Sequence, residues 1–509
     1  MQANSQVKNW FLFAVFLGLI FIDKAFSLVN FGFLFTDLDQ TVLWNGAMDY
    51  SRGIFREPFF YGQAYNYMLE AFLAVPLLWL DVPAYKALPI ITSVLSIFPF
   101  AIFGFLLMRK GHSFWAFLTL TFPITLTIEY GLLTTMPRGF VQAHLFAPLL
   151  FLPLLEPSNS KNAIVLFVAS GACWIANSSS ILIVAPIILW VFLHQFRSPH
   201  FYLSSLAVVP FIIVDYMAKG FYKAHPERVL HSVGGLRLDA QTFLDNLSNS
   251  HLFEHLFPFL SGWGILYPVV FALFALIAWR ADLKKEFAVI VSIIIMMAFT
   301  LAIPKVHQVY ENAGVFFTSI RLYLFIPILL VLSGFLTFRN RQIPQWAVIV
   351  LLFLSGIMTF TKRARTHAKV DQITSSTSFP IAANQDLFNR WDELKEIATE
   401  HKVDLIIHEN ENGWHYVFDS YVFNTLVQHE HLSKPVISVT VNGDRRTWLY
   451  AEAVESKTIL LNGFSLKPEL LSNLNHINLG KNRILIRLQN RNMDQLSKQL
   501  ELNFGNAGR

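Results

Sequence analysis

Residues 35–70 read FTDLDQTVLWNGAMDYSRGIFREPFFYGQAYNYMLE, from Phe35 to Glu70. The stretch follows the first strongly apolar segment and carries Asp37, Asp39, Asp49, Arg52, Arg56, Glu57 and Glu70 among many aromatics. Acids are sparse elsewhere in the first 360 residues. Carboxylates gathered at the lip of an apolar domain are costly beside lipid, so they mark a functional-site hypothesis from the outset. The same stretch interleaves Trp44, Phe55, Phe59, Phe60, Tyr61, Tyr65 and Tyr67 with Gly46, Gly53, Gly62, Asn45, Gln63 and Asn66. Aromatic platforms, amides and flexible turns suit a polyhydroxylated ligand; an aromatic belt at the membrane interface looks partly similar.

The surrounding chain is that of a membrane protein. Of 509 residues 54% are hydrophobic and only 14% charged, against roughly 25% charged in soluble domains. The formal net charge of +5 is small for this length. Its basic residues fall at segment ends and in the C-terminal part, which fits membrane anchoring better than a nucleic-acid face. The one cysteine, Cys173, excludes a disulfide framework or a cysteine-based zinc site. Residues 10–22 resemble a signal-peptide core, but no small-residue cleavage site follows, so an uncleaved first span is expected.

A spanning helix needs ~20 predominantly apolar residues. Segments of about that length, or somewhat shorter, occur at 10–34, 84–108, 113–130, 138–155, 162–177, 180–196, 201–218, 262–279, 287–303, 320–338 and 344–361. About eleven spans follow. Asn177–Ser180 breaks the 162–196 run into two short helices, tolerable in a bilayer only where they are buried in protein or line a cavity. With Lys8 cytoplasmic, Arg109, Lys110, Lys161, Arg197, Arg280, Lys284, Lys285, Arg339 and Arg341 share its side. The long pieces 35–83, 219–261, 304–319 and everything after 362 then lie outside, with Lys362, Arg363 and Arg365 as an exception. The expected organisation is a membrane domain over 1–361, with outer loops 35–83 and 219–261, and a soluble extracytoplasmic domain over 362–509. In that domain 387–402 reads as an amphipathic helix, and 403–410, 435–442, 458–463 and 482–490 as strands, giving an α/β or α+β fold. In its aromatic segment, Trp414, Tyr416, Phe418 and Tyr421 are expected to pack a core.

An acidic residue soon after the first span, a glycine about fourteen residues on, then an aromatic and a Pro-containing segment resemble the polytopic GT-C glycosyltransferases. The pattern is most similar to protein O-mannosyltransferases and lipid A aminoarabinose transferases. Asp39 takes the place of the family's Asp, Gln40 its Glu, Gly53 its Gly, and Glu57-Pro58 its basic-Pro pair. Gln40 and Glu57 depart from both subfamilies and leave the acceptor open. The resemblance implies inverting transfer of a sugar from a polyprenyl-phosphate donor to a hydroxyl or phosphate of a glycan, lipid or protein acceptor. The reaction would lie on the outer face of a multi-pass protein of the bacterial inner membrane. No nucleic-acid partner is implied.

That chemistry sets demands on particular residues. A sugar hydroxyl needs a carboxylate within hydrogen-bond reach to take its proton; Asp39 is the first candidate base and Asp37 the second. A leaving phosphate needs a fixed cation beside it. Arg321, in TSIRLYLFIP (318–327), resembles the family's Arg-Tyr-x-x-x-x-Pro element and could grip a phosphate bidentately; the alternative is that it snorkels to the interface. Arg138, Lys305 and His307 are weaker candidates that could equally be interface residues. Glu57, Tyr61, Gln63, Tyr65 and Asn66 are candidates for substrate binding. No particular cofactor is implied, and Asp37 and Asp39 could hold a divalent cation through their oxygens. Glu70, at the head of a short apolar helix, is expected to face water, and Asn177 to satisfy backbone groups or line a cavity. A polytopic transporter or flippase of a lipid-linked or polar solute is the alternative function, although no inverted repeat is evident. A scaffold presenting its C-terminal domain is a third, non-catalytic reading.

Overall fold

The computed structural model describes residues 2–61, 63–226, 228, 237–248, 266–304, 323–341, 343–375, 381–409, 415–429, 436–441, 453–489, 491–502 and 504. Two compact units divide the chain: Met1–Gly32, Pro89–Asp215 and Gly234–Phe379 form the first, and Phe33–Leu88, Tyr216–Val233 and Pro380–Arg509 the second.

The first unit is helical. Among the described residues, five helices of the chain are long and apolar enough to cross a membrane: Val7–Gly32, Ala84–Arg109, Ser178–Gln195, Pro199–Ala224 and Trp346–Thr374. Shorter apolar helices cover Leu69–Leu78, Ser113–Thr125, Ser160–Ala176, Leu266–Arg280 and Ile326–Phe338. The segment read as one span over 113–130 breaks at Leu126, and 138–155 is α-helical in its second half only, over Ala147–Leu155, after a 3-10 turn at Gln142–Leu145. Phe11, Phe21, Phe353 and Phe360 stand exposed on the spans, as side chains facing hydrocarbon do.

Helix Trp346–Thr374 shows why a helix carrying polar residues can lie in such a bundle. Its buried residues are Val348, Leu351, Ser355, Thr359, Lys362, Thr366, Val370 and Ile373, a stripe at three- and four-residue spacing. The hydroxyls of Ser355, Thr359 and Thr366 donate to carbonyls one turn back at 2.7–2.9 Å. Small, self-satisfied polar residues of this kind let membrane helices approach closely. Lys362 donates to Asp23 Oδ2 at 3.0 Å and to the Ile124 carbonyl at 3.0 Å. Lys24 donates to the Thr134 hydroxyl, and Lys369 pairs with Glu129 at 2.8 Å. The first and last spans are thus tied by buried charge.

Beside them runs an irregular stretch. Every residue from Glu129 to His144 is buried, although 134–141 is not helical. Backbone of that kind is tolerated in an apolar unit only when its polar groups are met. Asn177 meets two of them, donating to the carbonyls of Gly139 at 3.3 Å and Phe140 at 3.1 Å. Its own Oδ1 accepts from the Ser179 backbone N–H at 2.9 Å. The break between the two short helices is a backbone-satisfying cap, one of the two expected roles.

The second unit contains a five-stranded sheet in the order β6-β5-β7-β9-β8. Its strands are β5 (Leu405–His408), β6 (Ile437–Thr440), β7 (Thr458–Asn462), β8 (Asn475–Gly480) and β9 (Arg483–Arg487). β5, β6 and β7 are parallel, whereas β9 runs antiparallel to both β7 and β8. Helix His415–His429 makes the crossover from β5 to β6, so the architecture is α/β. Helix Asn384–Glu400 buries Leu387, Trp391, Leu394 and Ala398, the amphipathic face predicted for 387–402. Trp391 lies 5.2 Å from the ring of Phe423 in the core. Tyr421 is buried there too; Trp414 and the side chains of Tyr416 and Phe418 lie outside the described residues. Short strands β1 (Phe35–Thr36), β2 (Phe59–Phe60), β3 (Gln63–Tyr67) and β4 (Ala382–Ala383) complete the unit.

Candidate active site

The acidic stretch is more ordered than a loop. Helix Leu38–Ser51 fills its first half, and β2 pairs with β3 in its second. Asp37 is the N-cap of the helix. Its Oδ1 accepts from the Gln40 backbone N–H at 3.1 Å and its Oδ2 from Gln40 Nε2 at 3.2 Å. An aspartate is favoured here because it satisfies an orphan donor of the first turn and meets the positive end of the helix dipole. Gln40, the departure from the family pattern, is thus a double donor to a carboxylate. A glutamate there would set two carboxylates together.

Asp37 is fully buried, Asp39 half-buried in the first helical turn. Two residues along a helix lie about 200° apart around its axis, so the two side chains diverge. Among the described residues, no group of three or more His, Cys, Asp or Glu is arranged to hold a metal ion.

The helix ends where the resemblance placed its glycine. Gly53 has φ +74°. The Gly53 N–H donates to the Tyr50 carbonyl at 3.0 Å, and the Ile54 N–H to the Asp49 carbonyl at 2.9 Å. This pattern needs a left-handed residue at Gly53. Gly46 has a packing role instead: a Cβ there would lie 2.5 Å from Met68 Cε, because helix Leu69–Leu78 packs close by.

A second carboxylate, not singled out as a site residue from the sequence, anchors the rest of the stretch. Asp49 is buried and receives Arg56 Nε at 2.7 Å, Arg56 Nη2 at 3.2 Å, Arg52 Nη2 at 3.2 Å and the Tyr61 hydroxyl at 2.6 Å. Its i,i+3 and i,i+7 spacings to the arginines were the available signal, but a charge run usually reads as a solvated face. Burial and then the Asp49 charge hold the Tyr61 phenol well above its ordinary range, so it donates and does not ionise. Tyr61 sits at φ +36°, a strained conformation for a non-glycine residue. Beside it, the Phe59 N–H donates to the Tyr222 hydroxyl at 3.3 Å, and the two rings stack at 5.8 Å.

Among the other candidates, Glu57 and Asn66 are both 2% exposed. Glu70 is buried, not facing water as expected. The apolar helix it heads packs against helix Leu38–Ser51, with the rings of Phe72 and Tyr50 6.4 Å apart. Arg138 is buried in the first unit, its guanidinium 5.4 Å from the Phe140 ring. The side chains of Gln63 and Tyr65, and residues Lys305, His307 and Arg321, lie outside the described residues.

Comparison with known proteins then bears on the fold. No model of a known protein family matches the sequence, and no curated protein sequence matches it either. The crystal structure of ArnT from Cupriavidus metallidurans in the apo state is similar over 94% of this chain and 98% of that one, with a TM-score of 0.53 and 10% identity. The chain has the ArnT fold. The structure of the same ArnT bound to undecaprenyl phosphate is similar over 93% of this chain and 97% of that one, with a TM-score of 0.52 and 9% identity. At 9–10% identity the likeness is one of fold, and it extends over nearly the whole chain.

Proposed function

We propose that this protein is a membrane glycosyltransferase that takes a sugar from a polyprenyl-phosphate donor and passes it to an acceptor hydroxyl or phosphate, with inversion, outside the membrane. The observation that carries the proposal is the buried Asp37 carboxylate, fixed at a helix N-terminus by Gln40, in a chain with the fold of an enzyme crystallised with undecaprenyl phosphate. Asp37 is favoured over Asp39 as general base because it is buried and held from two directions. These two contacts fix the orientation of the Asp37 carboxylate.

In the step proposed, Asp37 takes the proton of the acceptor hydroxyl as its oxygen attacks the anomeric carbon. The bond from that carbon to the phosphate oxygen breaks on the opposite face, and the phosphate departs with the electron pair. Arg321 is assigned to neutralise it, with Arg138 as a second cation. Glu57, Tyr61, Gln63, Tyr65 and Asn66 would line the sugar's path. The N-terminus is assigned to the cytoplasm and the α/β domain to the outside. The exception made for Lys362 becomes easier to accept, since Asp23 neutralises it.

The test is transfer by the purified protein in lipid nanodiscs, supplied with radiolabelled polyprenyl-phospho-sugars. Asp37→Asn is expected to lower sugar release by at least about 10²-fold, and Asp386→Asn, on an exposed position, to leave it unchanged. Equal release by wild type and Asp37→Asn would remove Asp37 from the mechanism. Counterflow of a polar solute without sugar release would favour a transporter.

A further inference from the structure

The chain around Asp37 is held by residues some 350 positions later. The Asn384 backbone N–H donates to the Leu34 carbonyl at 2.8 Å, and its Nδ2 donates to the Phe33 carbonyl at 2.9 Å. Phe35 and Thr36 pair antiparallel with Ala383 and Ala382. Four consecutive residues before Asp37 therefore take their register from 382–384. On the far side, Asn45 Nδ2 donates to the Tyr421 carbonyl at 2.8 Å and to the Thr41 carbonyl at 3.0 Å, fastening helix Leu38–Ser51 to helix His415–His429. Asn384 and Asn45 are 2% and 6% exposed, and Tyr421 is 1% exposed.

We propose that Asn384 and Asn45 are positioning residues: through them the C-terminal α/β region sets the place of the Asp37 carboxylate. The inference rests on Asp37 acting as the base. A two-strand ladder of two residues is too short to hold the approach to that residue by itself. The amide of Asn384 supplies the missing constraint, and it is specific: a carboxylate of the same shape would face the Phe33 carbonyl with oxygen against oxygen. Misplacing a catalytic group by about 1 Å can cost up to ~10²-fold in rate, so a bond this close to Asp37 is expected to act on turnover more than on donor binding.

The experiment compares wild type, Asn384→Asp and Asn384→Gln in nanodiscs, reading transfer kinetics and backbone hydrogen exchange on the full-length protein. Asn384→Asp is expected to lower kcat about tenfold with the KM for the lipid donor within about twofold. Exchange at residues 37–41 should accelerate about tenfold while helix Leu69–Leu78 is unchanged. Asn384→Gln, which keeps the amide donor on a longer stem, should recover part of kcat. Wild-type kcat in Asn384→Asp, or unchanged exchange at 37–41, overturns the proposal. If Asn384→Asp loosens the whole protein, Asn45→Leu, which removes the bond to Tyr421 and keeps the volume, is judged by the same two criteria. Absence of transfer by wild type would instead defeat the assigned function, while the exchange result would still report whether Asn384 orders the segment.

Discussion

The buried charges linking the first and last spans make a quantitative prediction with an unequal outcome. Lys362 Nζ lies 3.0 Å from Asp23 Oδ2, with side chains 8% and 5% exposed. At an effective dielectric of ~20 the gross attraction is about 5 kcal/mol, and breaking such a pair from one side generally costs about 3–5 kcal/mol. The two sides differ here because Lys24 is also within electrostatic reach of both. Lys362→Met leaves Asp23 beside Lys24, a residual pair. Asp23→Asn leaves two buried lysines with no anion between them. Lys362→Met should therefore cost about 3 kcal/mol and Asp23→Asn about 5. Replacing all three by apolar residues should return stability to within about 1 kcal/mol of wild type. Reversible unfolding in mixed detergent micelles, followed by circular dichroism, measures the order. If Asp23→Asn is no worse than Lys362→Met, Asp23 is not shared by the two lysines and the reasoning fails.

Other expectations are local. His408 is buried between Ser438 Oγ at 2.8 Å and Asn462 Nδ2 at 3.1 Å, and burial, then Arg390, pushes its pKa down to about 3. The folded state thus binds fewer protons than the unfolded one. Stability should be full above about pH 6.5 and fall by about 1.4 kcal/mol per pH unit below it, down to about pH 3; thermal midpoints of wild type at pH 7 and 5 should diverge more than those of His408→Asn. Gly46→Val should cost about 2–3 kcal/mol and Gly46→Ala less, because the flexible end of Met68 can yield; equal costs would rule out that contact as the cause. Gly53→Ala should cost about 1 kcal/mol through its positive φ, and Gly53→Asn less, as read from the same unfolding curves.

The fold was legible where composition and periodicity act over many residues. The apolar segments, the 387–402 helix and four of the five sheet strands follow from patterns that tertiary packing does not override. β8 was missed because it is an exposed edge, with Ile477 43% exposed, and its alternating apolar face is only Ile477 and Leu479. In the candidate site, acids and aromatics drew notice to the stretch 35–70, but which side chains meet one another was not readable from their spacing. Whether Asp37 caps a helix depends on a helix starting at Leu38, which the mixed polar sequence 38–51 does not announce. That Asp49 is an anchor is set by Arg56 and Tyr61 folding back onto it. The span count was least legible, since run length cannot distinguish one crossing from a helix that stops at Leu126 or from a buried irregular segment like 134–141.

The Asp23–Lys362 pair also constrains how the protein is made. Lysines in a spanning helix need a partner, and helix Trp346–Thr374 carries Lys362 and Lys369 in its C-terminal half, both paired with residues synthesised far earlier. Asp23 emerges from the ribosome 339 residues before its partner. The last span becomes comfortable in lipid only once the first is there to receive it. A chain truncated ahead of Trp346 would strand Asp23 with Lys24 alone, a signature that membrane quality-control proteases could read as an unfinished product.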